Sequence, residues 1–163
     1  MVITVKFKKT HVDAKLPERN HGNIRNDRMS GLLRAEIDVS GTHDTGYDIF
    51  AVESVTIPAK KSKVVPVGLQ LAFITPGYWI KIESKSGLGF KHGLMCHPGI
   101  IDNQFTGDMG VKVYNFSDKE YTFNKGDKVA QLVAYPLIDM KIEETDTINK
   151  TSRGEKGFGS SGK

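Results

Sequence analysis

Residues 64–73 read VVPVGLQLAF, a run in which apolar positions recur with period two. Such alternation predicts a strand with one face in the core. Three further stretches share the pattern, namely ITVKF at 3–7, YWIKIES at 78–84 and VKVYNF at 111–116. Pro, Gly, Asn or Asp lie between them, and short strands with such punctuation favour an all-β sandwich or barrel.

Helical periodicity is weak outside residues 28–37, RMSGLLRAEI, which predicts one short helix. From residue 143 the sequence becomes EETDTINKTSRGEKGFGSSGK, which is polar and rich in glycine. Such a segment buries too little apolar surface to fold alone. We therefore expect a β-rich domain over residues 1–142 and a flexible C-terminal arm over residues 143–163.

The composition fits one soluble domain, since the chain has 163 residues of which 38% are hydrophobic. The net charge is +4, but the lysines are scattered and form no block longer than AKKSK at 59–63. This argues against specific nucleic-acid binding. The single Cys96 excludes an intrachain disulfide. With neither a signal-peptide pattern nor a long apolar run, we expect a cytoplasmic protein without membrane contact, or host-cytoplasmic if virus-encoded.

The C-terminal stretch RGEKGFGSSGK, residues 153–163, carries groups suited to a nucleotide. Successive backbone N–H groups of GFGSSG can bind an anion, because glycine allows positive φ. Arg153 offers a planar fork for phosphate oxygens, and Phe158 offers a ring that can stack on a base. Taken alone, the stretch is more typical of a flexible terminus than of a binding site.

Four stretches inside the domain carry further polar groups: TGYDIF at 45–50, ESKSGLGFKHG at 83–93, GIIDNQFTGD at 99–108 and GDKVAQLV at 126–133. The third is interpreted as a hairpin with its turn near Asn103 and Gln104. Each has a structural explanation when taken alone. Gly46 and Gly126 suit turns, SKSG suits a loop, and Gln131 suits an inward-facing, hydrogen-bonded strand residue.

Together and in this order, the five stretches resemble the five ordered motifs of the homotrimeric dUTPase family, from Thr45 to Gly162. The resemblance implies a jelly-roll-like β-barrel that forms a homotrimer, with each active site built from three subunits and closed by an arm. It also implies hydrolysis of dUTP to dUMP and pyrophosphate, with Mg²⁺ bound mainly by the triphosphate. Such a hydrolase limits uracil in DNA and supplies dUMP for thymidylate synthesis.

The resemblance also implies catalytic roles for three residues. Asp102 matches the water-activating carboxylate, and Ser86 and Gln131 match residues that position phosphate and water. Asp48 matches an aspartate that contacts the metal through water or organises the site. Lys85 stands where arginine is usual, so the positive charge is kept but the bidentate fork is lost.

Base selection is implied for the backbone of residues 99–110, which would read the uracil edge. Phe105 stands where tyrosine is usual and can still pack against deoxyribose. On the arm, Arg153, Ser160 and Ser161 match phosphate contacts, and Phe158 matches the ring that covers uracil. The implied substrate-binding residues are Lys85, Ser86, Gly87, Gly99, Asp102, Phe105, Gly110, Gln131, Arg153, Phe158, Gly159, Ser160 and Ser161.

Two alternatives stay open at this point. A dCTP deaminase would share the fold, but its catalytic glutamate would fall in GVKVYN, where Lys112 stands. A nucleotide-switched regulatory protein would bind a partner through residues 18–44, which are longer than the same connection in compact family members. A surface excursion is the simpler interpretation of that insertion. No role is assigned to His97.

Overall fold

The computed structural model describes residues 2–19, 44–152 and 154. This part of the chain is almost entirely β, which confirms the predicted fold class. Its elements in chain order are β1 (Val5–Lys9), β2 (Tyr47–Phe50), β3 (Val55–Ile57), β4 (Ser62–Ile74), β5 (Tyr78–Glu83), α1 (Ser86–His92), β6 (Leu94–Cys96), β7 (Gly99–Ile101), β8 (Asp108–Asn115), β9 (Tyr121–Phe123) and β10 (Lys128–Pro136).

The strands form two four-stranded sheets and one short pair. The first sheet has the order β1-β4-β8-β6, the second β2-β10-β5-β7, and β3 pairs with β9. Inward side chains from both large sheets meet in one core, which includes Ile49, Val65, Leu69, Val111 and Leu132. Buried residues alternate with less buried ones along β5 and β8, so the opposite faces of these strands are left to build the surface.

The stretch 64–73 lies inside β4, the longest strand, as the alternation predicts. Its pairing with β8 shifts register between Pro66 and Gln70. Gly68 lies in this irregular part with φ +64, and a Cβ there would sit 2.7 Å from His11 Cβ. Glycine is therefore required at the bend, both for the backbone conformation and for the close approach.

The prediction of a loop over SKSG, residues 84–87, is wrong for its last two residues, because α1 begins at Ser86. The helix has only seven residues and none is buried, so no apolar periodicity marks it in the sequence. It ends at Gly93, whose φ of +64 is the left-handed conformation typical of a helix end. The predicted helix over 28–37 lies outside the described residues. No helix within 2–19, 44–152 and 154 has the length and apolar character needed to cross a membrane.

The predicted hairpin over residues 99–108 is only half correct. Its turn is confirmed, since Phe105 N donates to Asp102 O at 2.9 Å around Asn103 and Gln104. The flanking strands do not pair with each other, however, because β7 lies beside β5 and β8 lies between β4 and β6. The segment is therefore a loop that carries the chain from one sheet to the other.

Cys96 is a free, buried thiol at the end of β6, with 3% of its surface exposed. Burial raises its pKa, which lowers the thiolate fraction at neutral pH. We expect a thiol reagent such as DTNB at pH 8 to modify Cys96 at least about 100-fold more slowly in the native protein than in urea. Equal rates in the two conditions would contradict the buried position.

Candidate active site

A polar cavity of about 270 Å³ brings together residues from three distant segments. Its lining residues are Asp44, Thr45, Gly46, Lys85, Ser86, Gly87 and Gln131. The second sheet explains the meeting, because Gln131 on β10 pairs with Asp48 of β2 on one side and with Glu83 of β5 on the other. Four residues predicted to bind substrate therefore share one cavity: Lys85, Ser86, Gly87 and Gln131.

Gln131 is held from two sides. Its Nε2 donates to Ser84 O at 3.1 Å. On the other side its amide lies directly on Gly46, where an added Cβ would sit 2.2 Å from Gln131 Oε1 and 2.9 Å from Gln131 Cβ. Gly46 is therefore more than a turn residue, because the absence of a side chain there makes room for the Gln131 amide.

Lys85, Ser86 and Gly87 form the start of α1. Lys85 is the N-cap residue, and its carbonyl accepts from Leu88 N and Gly89 N at 3.1 and 3.2 Å. Ser86 and Gly87 are in the first helical turn, where N–H groups have no partner four residues earlier in the helix. Such N–H groups, together with the Lys85 ammonium, favour an anionic ligand.

Ser84 anchors this turn to β6. Its Oγ accepts from Cys96 N at 2.9 Å and donates to Cys96 Sγ at 3.2 Å. Since the Ser84 carbonyl also accepts from Gln131, one residue connects the start of α1 with β6 and β10. The position of Lys85 is thus fixed by the sheet rather than by a free loop.

Asp48 lies next to the cavity on β2 and is 3% exposed. One carboxylate oxygen is paired with Lys85, and the other lies 2.7 Å from Lys128 Nζ. Burial by itself would raise the pKa of this carboxyl group, but the hydrogen bonds and charges of Lys128 and Lys85 outweigh it and hold the pKa below its ordinary value. Asp48 is therefore ionised and paired at neutral pH.

The described residues do not fit a site in which protein carboxylates hold Mg²⁺ directly. Within 2–19, 44–152 and 154, no group of three or more His, Cys, Asp or Glu residues is placed to hold a metal ion. Both oxygens of Asp48 face ammonium groups rather than an open coordination position. A contact through water stays a prediction for this residue.

Asp102 lies apart from the polar cavity. It follows Ile101, which pairs with Ile80 on β5, whereas Lys85 lies beyond the opposite end of that strand. The five positions from Ile80 to Lys85 correspond to roughly 16 Å of extended chain. The Asp102 side chain is exposed. A single chain therefore does not bring this predicted catalytic residue to the cavity.

The other residues of the 99–110 segment are distributed over β7, the loop after it and β8. Phe105 is 39% exposed. Its ring packs against Gly107, where an added Cβ would lie 3.0 Å from the ring. Gly99 pairs opposite Ile82 on β5, and Gly110 pairs opposite Pro66 on β4. His97 is exposed, and its ring contacts Tyr114 with centroids 6.3 Å apart.

The arm residues Arg153, Phe158, Gly159, Ser160 and Ser161 lie outside the described residues, as do positions 20–43 of the insertion predicted over 18–44. Sequence reasoning missed the contributions of Ser84 and Lys128 and gave Gly46 only a turn role. All three stand inside the motif-like stretches. Their contacts depend on which strands are neighbours, however, and the sequence pattern does not reveal that order.

Comparison with known proteins identifies the family of the chain. Residues 36–162 match the family model described as dUTPase. The deoxyuridine 5'-triphosphate nucleotidohydrolase of Kluyveromyces lactis is 37% identical over 132 residues, which cover 79% of this chain and 88% of the relative. The enzyme of the same name from Gamma-proteobacterium EBAC31A08 is 38% identical over 121 residues, which cover 72% of this chain and 87% of the relative.

Solved structures agree with this result. The Staphylococcus bacteriophage 80alpha dUTPase with dUPNHPP superposes with a TM-score of 0.75 at 26% identity, and the match covers 98% of each chain. A mutant dUTPase from phage phi11 of S. aureus, described as coordinating a structural Mg(II) ion, has the same fold, with a TM-score of 0.70 at 23% identity over 90% of this chain and 99% of that one. On the family model and the sequence relatives, the chain belongs to the dUTPase family.

Proposed function

We propose that this protein hydrolyses dUTP to dUMP and pyrophosphate, and so limits uracil in DNA and supplies dUMP for thymidylate synthesis. The observation that carries the proposal is the polar cavity, in which Lys85, Ser86, Gly87 and Gln131 meet from separate segments. Their chain matches the dUTPase family model over residues 36–162. An ammonium group, a hydroxyl group and a helix start in one polar cavity suit a polyphosphate.

The proposed reaction is attack of water on the α-phosphorus. Asp102 accepts a proton from the water as the new P–O bond forms, and the bond from the α-phosphorus to the bridging oxygen breaks. Pyrophosphate leaves with the electron pair of that bond. Lys85 and Ser86 hold the phosphate oxygens, while Gln131, fixed against Gly46, orients phosphate and water.

Magnesium is proposed to enter with the nucleotide. The resemblance to the dUTPase family implies Mg²⁺, and the metal would neutralise charge on the triphosphate. Since both oxygens of Asp48 are paired with lysines, we assign the direct ligands to the phosphate oxygens and keep Asp48 as an organiser of the site.

A complete site is proposed to form only between copies of the chain, as a homotrimer. The separation of Asp102 from the polar cavity supports this, because one subunit would supply the carboxylate and another the cavity.

A single chain also leaves apolar surface exposed to solvent. Ile138, Met140 and Ile142 alternate along the chain after β10 and are 77%, 79% and 85% exposed. A second cavity of about 460 Å³, near β1, is mainly apolar and contains none of the predicted site residues.

Uracil selection is proposed for the backbone of the loop from Gly99 to Gly110. Uracil presents an acceptor at O4 and a donor at N3, whereas cytosine reverses both, so a site built for uracil leaves buried groups unpaired with cytosine. Phe105 packs against deoxyribose. The arm from residue 143 is proposed as a segment distinct from the 1–142 domain, with Phe158 covering the base and Arg153, Ser160 and Ser161 holding phosphates.

The experiment that tests this function is product analysis by anion-exchange chromatography. Purified protein with Mg²⁺ is incubated separately with dUTP, dCTP, dTTP and UTP. We expect only dUTP to be consumed, and reaction in ¹⁸O-labelled water to place the label in dUMP, because water attacks the α-phosphorus. Label in pyrophosphate would contradict the proposed attack, and conversion of dCTP to dUTP would instead identify a deaminase.

Deleting residues 153–163 is expected to reduce kcat/KM for dUTP at least about 100-fold, because the phosphate and base contacts of the arm are lost. The melting temperature of the remaining chain should change little, since β10 already ends at Pro136. Deleting Lys163 alone is the matched control. Loss of folding in the longer deletion would show that the arm is a structural element.

The two alternatives receive less support. Lys112, which stands where a deaminase would need its glutamate, lies on β8 with its ammonium 5.5 Å from the Tyr114 ring centroid. The family match to dUTPase also argues against deamination. A partner-binding role for the insertion stays a prediction, because residues 20–43 are outside the described part of the chain.

A further inference from the structure

Asp48 joins two lysines that come from different elements of the fold. Lys85 is the N-cap of α1, and Lys128 is the first residue of β10. The Asp48 side chain is 4% exposed, and each of its oxygens pairs with one ammonium group. We call these three residues the lysine–aspartate–lysine triad.

The two lysines are not equivalent. Lys85 lines the polar cavity, whereas Lys128 does not. Their side chains are 23% and 40% exposed, so Lys128 is also the more solvated of the two. The carboxylate of Asp48 therefore connects Lys128 to the lysine that lines the cavity.

The charges of the triad explain why two lysines are useful. One ammonium group would cancel the carboxylate and leave the cavity wall neutral. Two ammonium groups and one carboxylate leave the triad with one net positive charge, next to the cavity that Lys85 lines. A buried carboxylate held by two ion pairs is also fixed in orientation, and so directs the flexible lysine that it holds.

We propose that Lys128 is a positioning residue for dUTP hydrolysis. Through Asp48 it orients the Lys85 ammonium group toward the polyphosphate. This inference rests on the proposed function. Because lysine lacks the planar fork of arginine, the direction of the Lys85 ammonium group is set by the carboxylate rather than by its own geometry.

The test compares Lys128→Met and Lys128→Arg with Lys63→Met, a control at an exposed position of β4. For Lys128→Met we expect kcat/KM for dUTP to fall, and Kd for the non-hydrolysable analogue dUpNHpp to rise, each about tenfold, as for one misdirected hydrogen bond to a charged group. Kd for dUMP should change by a much smaller factor. Lys128→Arg should retain most activity, and Lys63→Met should match the wild type.

A double variant separates position from charge. Asp48→Asn with Lys128→Met leaves Lys85 as the only charge, so its net charge equals that of the original triad. We expect the double variant to stay impaired in dUpNHpp binding. Recovery to the wild-type Kd would overturn positioning, and so would a Lys128→Met variant with wild-type Kd. If Lys128→Met does not fold, Lys128→Gln replaces it, with the same expected and overturning results.

The activity of the wild-type protein separates the role of Lys128 from the proposed function. A wild-type protein that does not hydrolyse dUTP overturns the function. A wild-type protein that hydrolyses dUTP, with an unaffected Lys128→Met variant, overturns only the role of Lys128.

Discussion

Replacing Asp102 with asparagine is expected to lower kcat for dUTP by about 10³-fold, within the range typical for loss of a positioned general base. Asparagine has nearly the same shape, but its amide does not accept the proton of the attacking water. The Kd for dUpNHpp should stay close to the wild-type value, because the phosphates are held at the polar cavity. Stopped-flow or discontinuous assays of kcat, together with calorimetric binding of dUpNHpp, measure both quantities.

The matched control is Asn103→Ala, an exposed change in the same turn. It should leave kcat within a few-fold of the wild type, since it removes no proton acceptor. Unchanged turnover in Asp102→Asn would show that another group activates the water.

Mixed oligomers extend this prediction to the assembly. Asp102→Asn and Gln131→Ala chains are each expected to be nearly inactive alone. If Asp102 of one copy completes the cavity of another, equal co-refolding should restore about a quarter of the wild-type activity, because that fraction of sites receives two intact residues. No restoration in oligomers shown to be mixed would mean that each site uses a single chain.

Replacing Gly46 with alanine is expected to lower kcat about 100-fold with little change in fold. The new Cβ would lie within 3 Å of Gln131 Oε1, Cδ and Cβ, so the Gln131 amide must leave its present position and the backbone must shift locally to separate the two Cβ atoms. A catalytic group displaced by about 1 Å can cost this much in rate. Gly46 is not one of the described glycines with a positive φ. The expected effect therefore arises from the contact with Gln131 rather than from backbone strain.

The control for this change is Gly89→Ala in α1, where a Cβ would meet Leu94 O at an ordinary 3.5 Å. It is expected to leave kcat near the wild-type value, since alanine also favours the helix. Circular dichroism melts of both variants separate loss of stability from loss of catalysis. A Gly46→Ala variant with wild-type kcat would show that Gln131 has another productive position.

Much of the strand content could be predicted, because apolar and polar residues alternate in the sequence wherever only one face of a strand is buried. The stretches 64–73, 78–84 and 111–116 correspond to β4, β5 and β8, and ITVKF overlaps β1. The helix α1 could not be predicted in this way. Its seven residues bury no side chain, so it has no apolar face to detect.

The grouping of the candidate site residues depended on strand order. Gln131 is 46 residues from Lys85 in the chain, and the two meet because β10 lies beside β5. The segment from Gly99 to Asp108 has turn residues suited to a hairpin, yet its flanking strands joined different sheets. Turn chemistry is local, whereas the choice of partner strand is made by packing of the whole core.

The sequence by itself determined the all-β class, through period-two burial, and the family, through five motifs in a fixed order. Only the tertiary structure decided that Asp48 is buried between Lys85 and Lys128, that Gln131 rests on Gly46, and that Asp102 lies away from the cavity. The physical reason is the separation along the chain over which each effect acts. Alternation and turn preference act between neighbours along the chain, while ion pairs and close contacts act between strands that the folded core brings together.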